Sequence, residues 1–286
     1  MTRLHTFTLL LLTGLVLFGQ QKTPLHGIHD PQSHSKKKPR SKDMEQFGRL
    51  SKLGWQQVFH DPCTRDWTKL WTLDGRKARI THSEKGMDYF SGPTRKEDAS
   101  HAVMWTKESF KGDIRLDYEF TKLDDVVEAV TILYLQATGS ELGGHDRDIA
   151  KWADQRVVAS MSQYFKNMNL HHISYAAFDV GNADPVADYI RARRYMPGAR
   201  KGLRDTDMAP DYFKTGLFKK GVPHKITIIK HGGDLFMHIR NPEREQLCHW
   251  RTDKFPPVTE GRIGLRHMWT RGARYRDFRI STLGVE

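Results

Sequence analysis

The sequence predicts an all-β fold: a jelly-roll sandwich of two antiparallel sheets with one long insertion of loop and helix. First, apolar Ile114, Leu116, Tyr118 and Phe120 alternate with charged residues, which is the two-residue period of a half-buried strand. Second, short strand-like segments recur between turns along most of the chain. Third, strands and helices do not alternate, which disfavours a parallel α/β fold.

The first 19 residues are predicted to be a signal peptide. Arg3 precedes an apolar run over residues 7–18, which is shorter than the roughly 20 residues that span a bilayer. No cysteine directly follows this run, so a lipoprotein anchor is not expected. We expect export to the periplasm or the cell exterior, without a transmembrane segment in the mature chain.

Residues 20–45 are predicted to form a flexible basic tether. They contain no Phe, Trp or Tyr and no apolar periodicity, so they cannot bury enough surface to offset the entropy lost on ordering. The folded domain is therefore expected to cover residues 46–286, a length that one all-β sandwich can have.

The formal net charge is +12, and most of it lies in the predicted domain. A basic excess favours an anionic partner, although solubility alone explains it equally well. For an exported protein we expect an acidic polysaccharide or oligosaccharide and no nucleic acid. The lysine-rich run at residues 35–42 is accordingly expected to attach to acidic envelope or matrix polymers.

The predicted strands follow one another with turn residues between them. In order they occupy residues 55–62, 77–83, 101–110, 113–123, 129–138, the hairpin 224–241, 261–269 and 273–282. Residues 140–218 break this rhythm and are predicted to be an insertion, with a short helix around residues 149–157. Long insertions on a rigid scaffold often build functional sites.

Several motifs together resemble a known bacterial family. They are Phe59, Asp61, Pro62, Asp66 and Trp67 near the start, "VMWTKESFKGDIRLDYEF", the group His172, Ser174 and Tyr175, and the ending "GRIGLRHM" with "YRDFRI". This set is similar to the family described as a domain of unknown function, DUF1961. The resemblance covers most of the chain from Trp55 onward, although residues 183–221 depart from it in length and composition.

The resemblance implies a fold and a setting. Members of the family resemble concanavalin-A-like lectins and glucanases, and one occurs in a Bacillus gene cluster for rhamnogalacturonan breakdown. It therefore implies a concanavalin-A-like sandwich in a protein of polysaccharide utilisation. The family has no settled reaction that could be transferred to these residues.

A basic and aromatic cluster is the first candidate site, with His172, Tyr175, Arg193 and Arg194 as predicted catalytic residues. Arginine forks bind carboxylates in a two-pronged geometry. An arginine on a uronate carboxylate would acidify the neighbouring C5 proton, and a histidine or tyrosine could then remove it in a β-elimination. The alternative is that the arginines form a solvated face and the histidines are packed structural groups.

Acidic residues provide a hydrolase alternative. Asp117 and Glu119 lie two apart on a predicted strand and so share one face, within reach of the about 5–5.5 Å separation that retaining glycosidases use. Asp113 shares the same face, and Arg115 between Asp113 and Asp117 favours simple charge pairing instead. Asp179 and Asp184 in the insertion are further candidate carboxylates.

Aromatic and polar residues are expected to line a sugar-binding groove. Flat aromatic faces stack on sugar rings, and polar side chains fix their orientation. The predicted substrate-binding residues are Trp105, Tyr134, Gln136, Arg191, Tyr195, Arg266, His267 and Trp269. The alternative for about half of them is packing in the sandwich core.

The sequence gives only weak indications of a disulfide or a metal site. Cys63 and Cys248 could form one disulfide in an oxidising compartment, or remain as two buried thiols. No spacing indicates zinc. The loop at residues 141–148 could offer oxygen ligands for a structural calcium ion, although it matches no defined calcium loop, and no other cofactor is expected.

The sequence as a whole predicts an exported protein that binds and cleaves an acidic polysaccharide, by β-elimination or by hydrolysis. The alternative is a lectin-like module that binds carbohydrate without cleaving it. Motifs of serine hydrolases, nucleotide-binding proteins and zinc proteases do not occur.

Overall fold

Alternating apolar side chains build two stacked antiparallel sheets, as the computed structural model of the chain shows for residues 41–198 and 202–284. The described strands, in chain order, are β1 (Trp55–Asp61), β2 (Trp71–Asp74), β3 (Arg79–Ser83), β4 (Gly86–Phe90), β5 (Ala102–Thr106), β6 (Phe110–Lys111), β7 (Ile114–Lys122), β8 (Ala129–Gly139), β9 (Met168–Phe178), β10 (Tyr189–Tyr195), β11 (Asp207–Phe213), β12 (Pro223–His231), β13 (Asp234–Arg240), β14 (Glu245–Arg251), β15 (Glu260–His267) and β16 (Gly272–Leu283). The prediction of an all-β jelly-roll sandwich is confirmed.

Each sheet contains eight strands. Sheet A has the order β14-β13-β12-β7-β16-β4-β3, with β1 also paired to β16. Sheet B has the order β11-β10-β9-β8-β15-β5-β2, with β6 also paired to β15. The long predicted strand β7 lies inside sheet A, where Ile114, Leu116, Tyr118 and Phe120 point into the core as expected.

The main core lies between the two sheets. Its aromatic centre includes Phe120, Tyr175 and Tyr275, whose rings pack edge to face. Apolar side chains on both inner faces exclude water from this layer, and this burial is the principal stabilising term of such a fold.

Helical segments cover the outer faces. On sheet A, helix α1 (Lys42–Leu50) packs Phe47 against Ile229 and Phe236. The insertion contains a 3-10 segment (Ile149–Arg156) and helix α2 (Met161–Asn167), so the helix predicted near residues 149–157 exists but is of the tighter kind. No helix in the described residues is long and apolar enough to cross a membrane.

Of the N-terminal predictions, the structure describes only the last part of the predicted tether, from residue 41. The predicted signal peptide and residues 20–40 lie outside the described residues. Helix α1 begins within the segment predicted to be a tether, because the Ser41 side chain caps it by accepting a hydrogen bond from the Met44 N–H, and Phe47 anchors it to sheet A. Ordered structure therefore starts before Gln46.

Candidate functional site

The outer face of sheet B is divided into a covered part and an open part. Over β5, β8 and β15, the insertion packs Tyr164 onto the stacked rings of Trp105 and Tyr134, with centroids 6.2 and 5.7 Å from that of Tyr164. Gly264 makes room for this stack, since a Cβ atom there would lie 2.5 Å from the Trp105 ring. The covered part therefore has no open groove at these rings.

A buried carboxylate attaches the insertion to sheet B. Asp74 Oδ2 accepts hydrogen bonds from Arg156 Nε at 2.7 Å, Trp105 Nε1 at 2.7 Å and the Tyr164 hydroxyl at 3.0 Å. Arg156 is also stacked over the Trp152 ring. Because the charges are paired and hydrogen bonded, this network can hold the covering segment in place.

This cover corrects part of the predicted groove. Trp105 is 1% exposed, and Tyr134 and Arg266 are fully buried. The Arg266 guanidinium lies 4.6 Å from the centre of the Tyr164 ring and donates to the Ala159 carbonyl. These three residues bind the insertion and do not face a polymer-sized groove.

The other predicted groove residues near this region are also internal. Gln136 donates to the carbonyls of Phe110 and Gly112, and His267 lies 2.8 Å from the Tyr275 hydroxyl in the core. Trp269 is 7% exposed, in the turn after β15. Core packing, the alternative interpretation, describes their positions.

The predicted imidazole–phenol pair is not assembled. His172 lies on the outer face of sheet B, with Nδ1 2.5 Å from the Tyr195 hydroxyl and Nε2 2.6 Å from the Ser174 hydroxyl. Tyr175 points the other way, into the core beside Tyr275, because successive residues of a strand face opposite sides. Both predicted catalytic side chains are buried, so the lyase arrangement built on them is not formed here.

The three arginines are divided in the same way. Register places Arg193 opposite His172 and Arg191 opposite Ser174 on the outer face, whereas Arg194 points inward. Arg194 is 3% exposed and donates to the Pro256 carbonyl. The three arginines therefore do not form one cluster: Arg191 and Arg193 lie together on the outer face, and Arg194 is buried on the inner side.

The open part of the outer face is a ladder of ion pairs on β10 and β11. Arg193 Nε donates to Asp207 at 2.7 Å, and Arg191 Nη2 lies 2.6 Å from Asp211. The hydrogen bond to Asp211 has the largest effect on the Arg191 guanidinium and raises its pKa above the ordinary value. We call the outer-facing residues of β10 and β11 the β10–β11 strip.

Aromatic rings lie at one end of the β10–β11 strip. The Arg191 guanidinium lies 4.7 Å from the centre of the Tyr189 ring, and the Phe213 ring lies beside Tyr189. Phe213 is 60% exposed, and the Asp207 side chain is also 60% exposed. A shallow depression of about 420 Å³ lies over the ion pairs.

The carboxylates predicted as acid and base occupy other places. Asp117 and Glu119 do share one face of β7, but Asp117 accepts hydrogen bonds from Nε and Nη2 of Arg115 on the outer face of sheet A. Asp179 and Asp184 lie in an exposed turn, where Asp184 accepts from the Val186 N–H. Charge pairing and turn formation account for three of these four residues, while Glu119 lies in an open groove.

Of the two alternatives for the cysteines, the structure shows the buried thiols: Cys63 and Cys248 are both free and buried. Cys248 lies on β14 at one edge of sheet A, whereas Cys63 follows β1, which is five strands away. At about 4.8 Å between neighbouring strands the two are roughly 20 Å apart, beyond the limit of about 7 Å between Cα atoms for a disulfide.

The donor set of the predicted calcium loop does not fit the ion well. Asp146 pairs with Lys151, Asp148 with Arg262, and Glu141 lies 3.8 Å from Arg147. In the part of the chain that the structure describes, no three His, Cys, Asp or Glu side chains cluster in a way that could hold a metal ion.

Sequence reasoning missed the acidic half of the β10–β11 strip. Strand β11 lies in the predicted insertion, at a place where no strand was expected, yet Asp207, Ala209, Asp211 and Phe213 lie on one of its faces. Asp207 and Asp211 are four residues apart and Arg191 and Arg193 are two apart, so each pair has an even spacing that places its side chains on one face of a strand. That even spacing was the available signal.

Fold and site together define a lectin-like β-sandwich with a partly covered outer face. The chain belongs to the family described as a domain of unknown function, DUF1961, whose model matches residues 63–280. The predicted family is thus confirmed. No curated protein matches the chain in sequence.

Solved structures agree in fold. A Bacillus subtilis protein of unknown function with a galectin-like fold is 18% identical, with a TM-score of 0.56, covering 79% of this chain and 97% of that one. The exoplasmic/lumenal domain of VIP36, bound to Ca²⁺ and Man3GlcNAc, is 10% identical, with a TM-score of 0.51, covering 81% and 91%. Its metal-free form is 11% identical, with a TM-score of 0.52, covering 81% and 95%.

Proposed function

We propose that this protein is an exported, lectin-like module that binds carbohydrate on the β10–β11 strip without cleaving it. The observation that carries the proposal is the open ladder of paired carboxylates and guanidiniums ending in exposed Phe213. Of the four residues predicted for catalysis, His172, Tyr175 and Arg194 are buried, on opposite sides of sheet B. Only Arg193 faces the strip, so binding is the function that the geometry supports best.

The β10–β11 strip has the chemistry that a sugar requires. Carboxylate oxygens of Asp207 and Asp211 accept hydrogen bonds from sugar hydroxyls, and Arg191 and Arg193 donate to ring and hydroxyl oxygens. Because each cation already faces an anion, the strip is charge-balanced and suits neutral sugars. The face of Phe213 offers an apolar surface for stacking on a sugar ring.

The similarity to sugar-binding structures supports this proposal. The VIP36 domain of comparable fold was solved with a mannose oligosaccharide. Carbohydrate recognition is thus compatible with the sandwich architecture, while the residues that would perform it here are this chain's own.

Binding to an acidic polymer is the second candidate, and it has a different location. On the outer face of sheet A, Glu119 lies in register between Lys225 and Arg276, and Lys225 is opposite Arg240. The three basic residues are exposed along two adjoining depressions of about 480 and 390 Å³. The chain also carries a net charge of +12. An acidic polysaccharide is therefore expected to bind in this basic groove rather than on the charge-balanced strip.

Retention on immobilised mannan, polygalacturonate and alginate separates these candidates. Phe213→Ala and Asp207→Ala are each expected to weaken binding to the preferred neutral glycan at least tenfold, about 1.4 kcal/mol, because stacking and hydrogen bonds are lost. Val58→Ala, which removes a half-exposed apolar side chain from sheet A, is the matched control and should leave retention unchanged.

Two results would contradict the placement of the site. Full glycan retention by both strip variants would exclude the β10–β11 strip. Loss of retention only in Lys225→Glu/Arg276→Glu, and only on the acidic polymers, would instead assign binding to the groove on sheet A. Soluble cleavage products in any of these incubations would overturn the non-catalytic part of the proposal.

A further inference from the structure

Three basic side chains point into one end of the space between the sheets. His171 and Arg194 are opposite each other on β9 and β10, and Lys230 lies on β12 of the facing sheet. The residues two positions along these strands, such as Ile173 and Ile228, are core residues, so all three basic groups occupy inward-facing positions. They are 2%, 3% and 5% exposed, respectively.

Within the described residues, neither Lys230 nor Arg194 forms an ion pair with a carboxylate, and the charge of Asp113 acts on Lys230 only without such a contact. Lys230 Nζ donates to the Val258 carbonyl at 3.0 Å, and Arg194 Nε to the Pro256 carbonyl at 2.9 Å. Both ring nitrogens of His171 are buried without a hydrogen-bond partner among the described residues. Burying polar or charged groups without partners costs free energy, so a bound anion would stabilise these three side chains.

Two of the three residues line a cavity, although the ring nitrogens of His171 are themselves buried. The cavity has a volume of about 310 Å³, and its wall includes His171 and Lys230, the turn at Gly232 and Gly233, and the segment from Thr252 to Val258. This volume is at the lower end of the range for small-molecule sites. Gly232 and Pro257 at its edge are exposed, so a small solute can enter from solvent.

Nearby carboxylates are already engaged elsewhere. Asp253, which also lines the cavity, lies 2.5 Å from Arg251, and Asp113 accepts from the Gly232 N–H at 3.0 Å. Burial, followed by the charges of Arg194 and Lys230, lowers the pKa of His171 well below its ordinary value. An entering anion would offset those two charges and favour a protonated, donating imidazole.

We propose that this cavity is an oxyanion site, in which Lys230 and His171 donate to a carboxylate, sulfate or phosphate group while Arg194 supplies positive charge from behind. The site is separate from the β10–β11 strip, since His171 and Arg194 point to the inner side of sheet B. It takes a small acidic molecule or the charged group of an acidic sugar, and its occupancy is independent of glycan binding on the strip.

Titration with sodium sulfate, sodium phosphate and glucuronate at constant ionic strength tests the site, with glucose as the uncharged match for glucuronate. The imidazole signals of His171, assigned by comparison with His171→Gln, should shift saturably and the pKa of this ring should rise on binding. Selective response to glucuronate would identify a sugar carboxylate as the ligand, and an equal response to sulfate or phosphate would identify any small oxyanion.

Lys230→Met should weaken this binding at least tenfold. Lys69→Met, which removes an exposed lysine that lines neither the cavity nor the groove on sheet A, should leave it unchanged. The proposal is overturned if no anion shifts the His171 signals saturably in the unmodified protein, or if both lysine variants lose binding equally. The first criterion is measured on the unmodified protein and does not depend on the folding of Lys230→Met.

Discussion

His172 shows how a histidine can be fully satisfied inside this protein. Its two ring nitrogens lie within hydrogen-bond distance of the hydroxyls of Tyr195 and Ser174. Burial first, and then the charges of Arg193, Arg266 and others, lowers the pKa of the ring well below its ordinary value. The imidazole is therefore a neutral connector between β9 and β10, and its partner Tyr195, also packed against Tyr134 and Phe165, is 1% exposed.

The two cysteines provide a prediction at the scale of single residues. Burial, as the largest cause, raises the pKa of both thiols, so neither forms the reactive thiolate. We expect almost no alkylation of the native protein by iodoacetamide at pH 8, and labelling of both Cys63 and Cys248 in concentrated guanidinium chloride without reductant. Mass spectrometry of the intact chain counts the labels. Unlabelled cysteines in the denatured chain would indicate a disulfide and contradict the structure.

Among the elements, the insertion is notable because it depends on one buried ion pair. In Arg156→Met, Asp74 would lose its cation in a site where burial already raises its pKa, so it would remain as an unpaired buried charge or take up a proton, and either is costly. We expect a loss of about 3–5 kcal/mol in the free energy of unfolding, measured by urea denaturation. Asp74→Asn combined with Arg156→Met should recover part of this loss.

The surface pair of Arg147 and Glu260 is the matched control for this measurement. Arg147 is half exposed, so Arg147→Met should cost less than about 1 kcal/mol. If Arg156→Met cost no more than Arg147→Met, the buried network would not be what holds the insertion on sheet B.

Strands β7 and β11 show what could be predicted at the scale of elements. Four apolar residues two apart identified β7, because a central strand must fill the core on one face. Strand β11 contains Pro210, which usually argues against a strand, but β11 is an edge strand and such strands tolerate proline. The position of β11 at an edge is a property of the whole topology, so its local sequence could not reveal it.

The sequence also could not predict that the insertion covers part of sheet B, because this too depends on the whole topology. Trp105, Tyr134 and Arg266 carry the residue types of a sugar-binding groove, and the sequence places them on strands of one sheet. Whether such residues are open or covered depends on where a distant segment packs, here Tyr164 and Arg156 of the insertion. Composition and spacing along single strands contain no record of that long-range contact.

Over the whole molecule, buried neutral histidines predict marked acid sensitivity. Those whose pKa is lowered, with burial as the largest cause in each, include His101, His171, His172, His224 and His267. For His101 and His267 the pKa falls from 6.5 to about 3, and for His224 to about 4. In the unfolded chain all of them take up protons near pH 6.5, whereas in the folded protein they do not.

Stability should therefore fall as the pH decreases below about 6.5. A histidine with a folded pKa near 3 contributes a loss of about 3 kcal/mol by pH 4, and a typical domain has only about 5–15 kcal/mol in total. Urea denaturation between pH 7 and 4.5 measures this slope. His267→Gln should flatten it while His60→Gln, on an exposed residue, should not, and a stability independent of pH in this range would contradict the neutral buried histidines.

Residue-resolved hydrogen–deuterium exchange, with and without the glycan that the protein retains most strongly, tests most directly where carbohydrate binds. The account predicts slower exchange confined to β10, β11 and the adjoining part of β9, since these strands carry Arg191, Arg193, Asp207, Asp211 and Phe213. Protection confined to β7, β12 and β16 would place the ligand on sheet A and contradict the account.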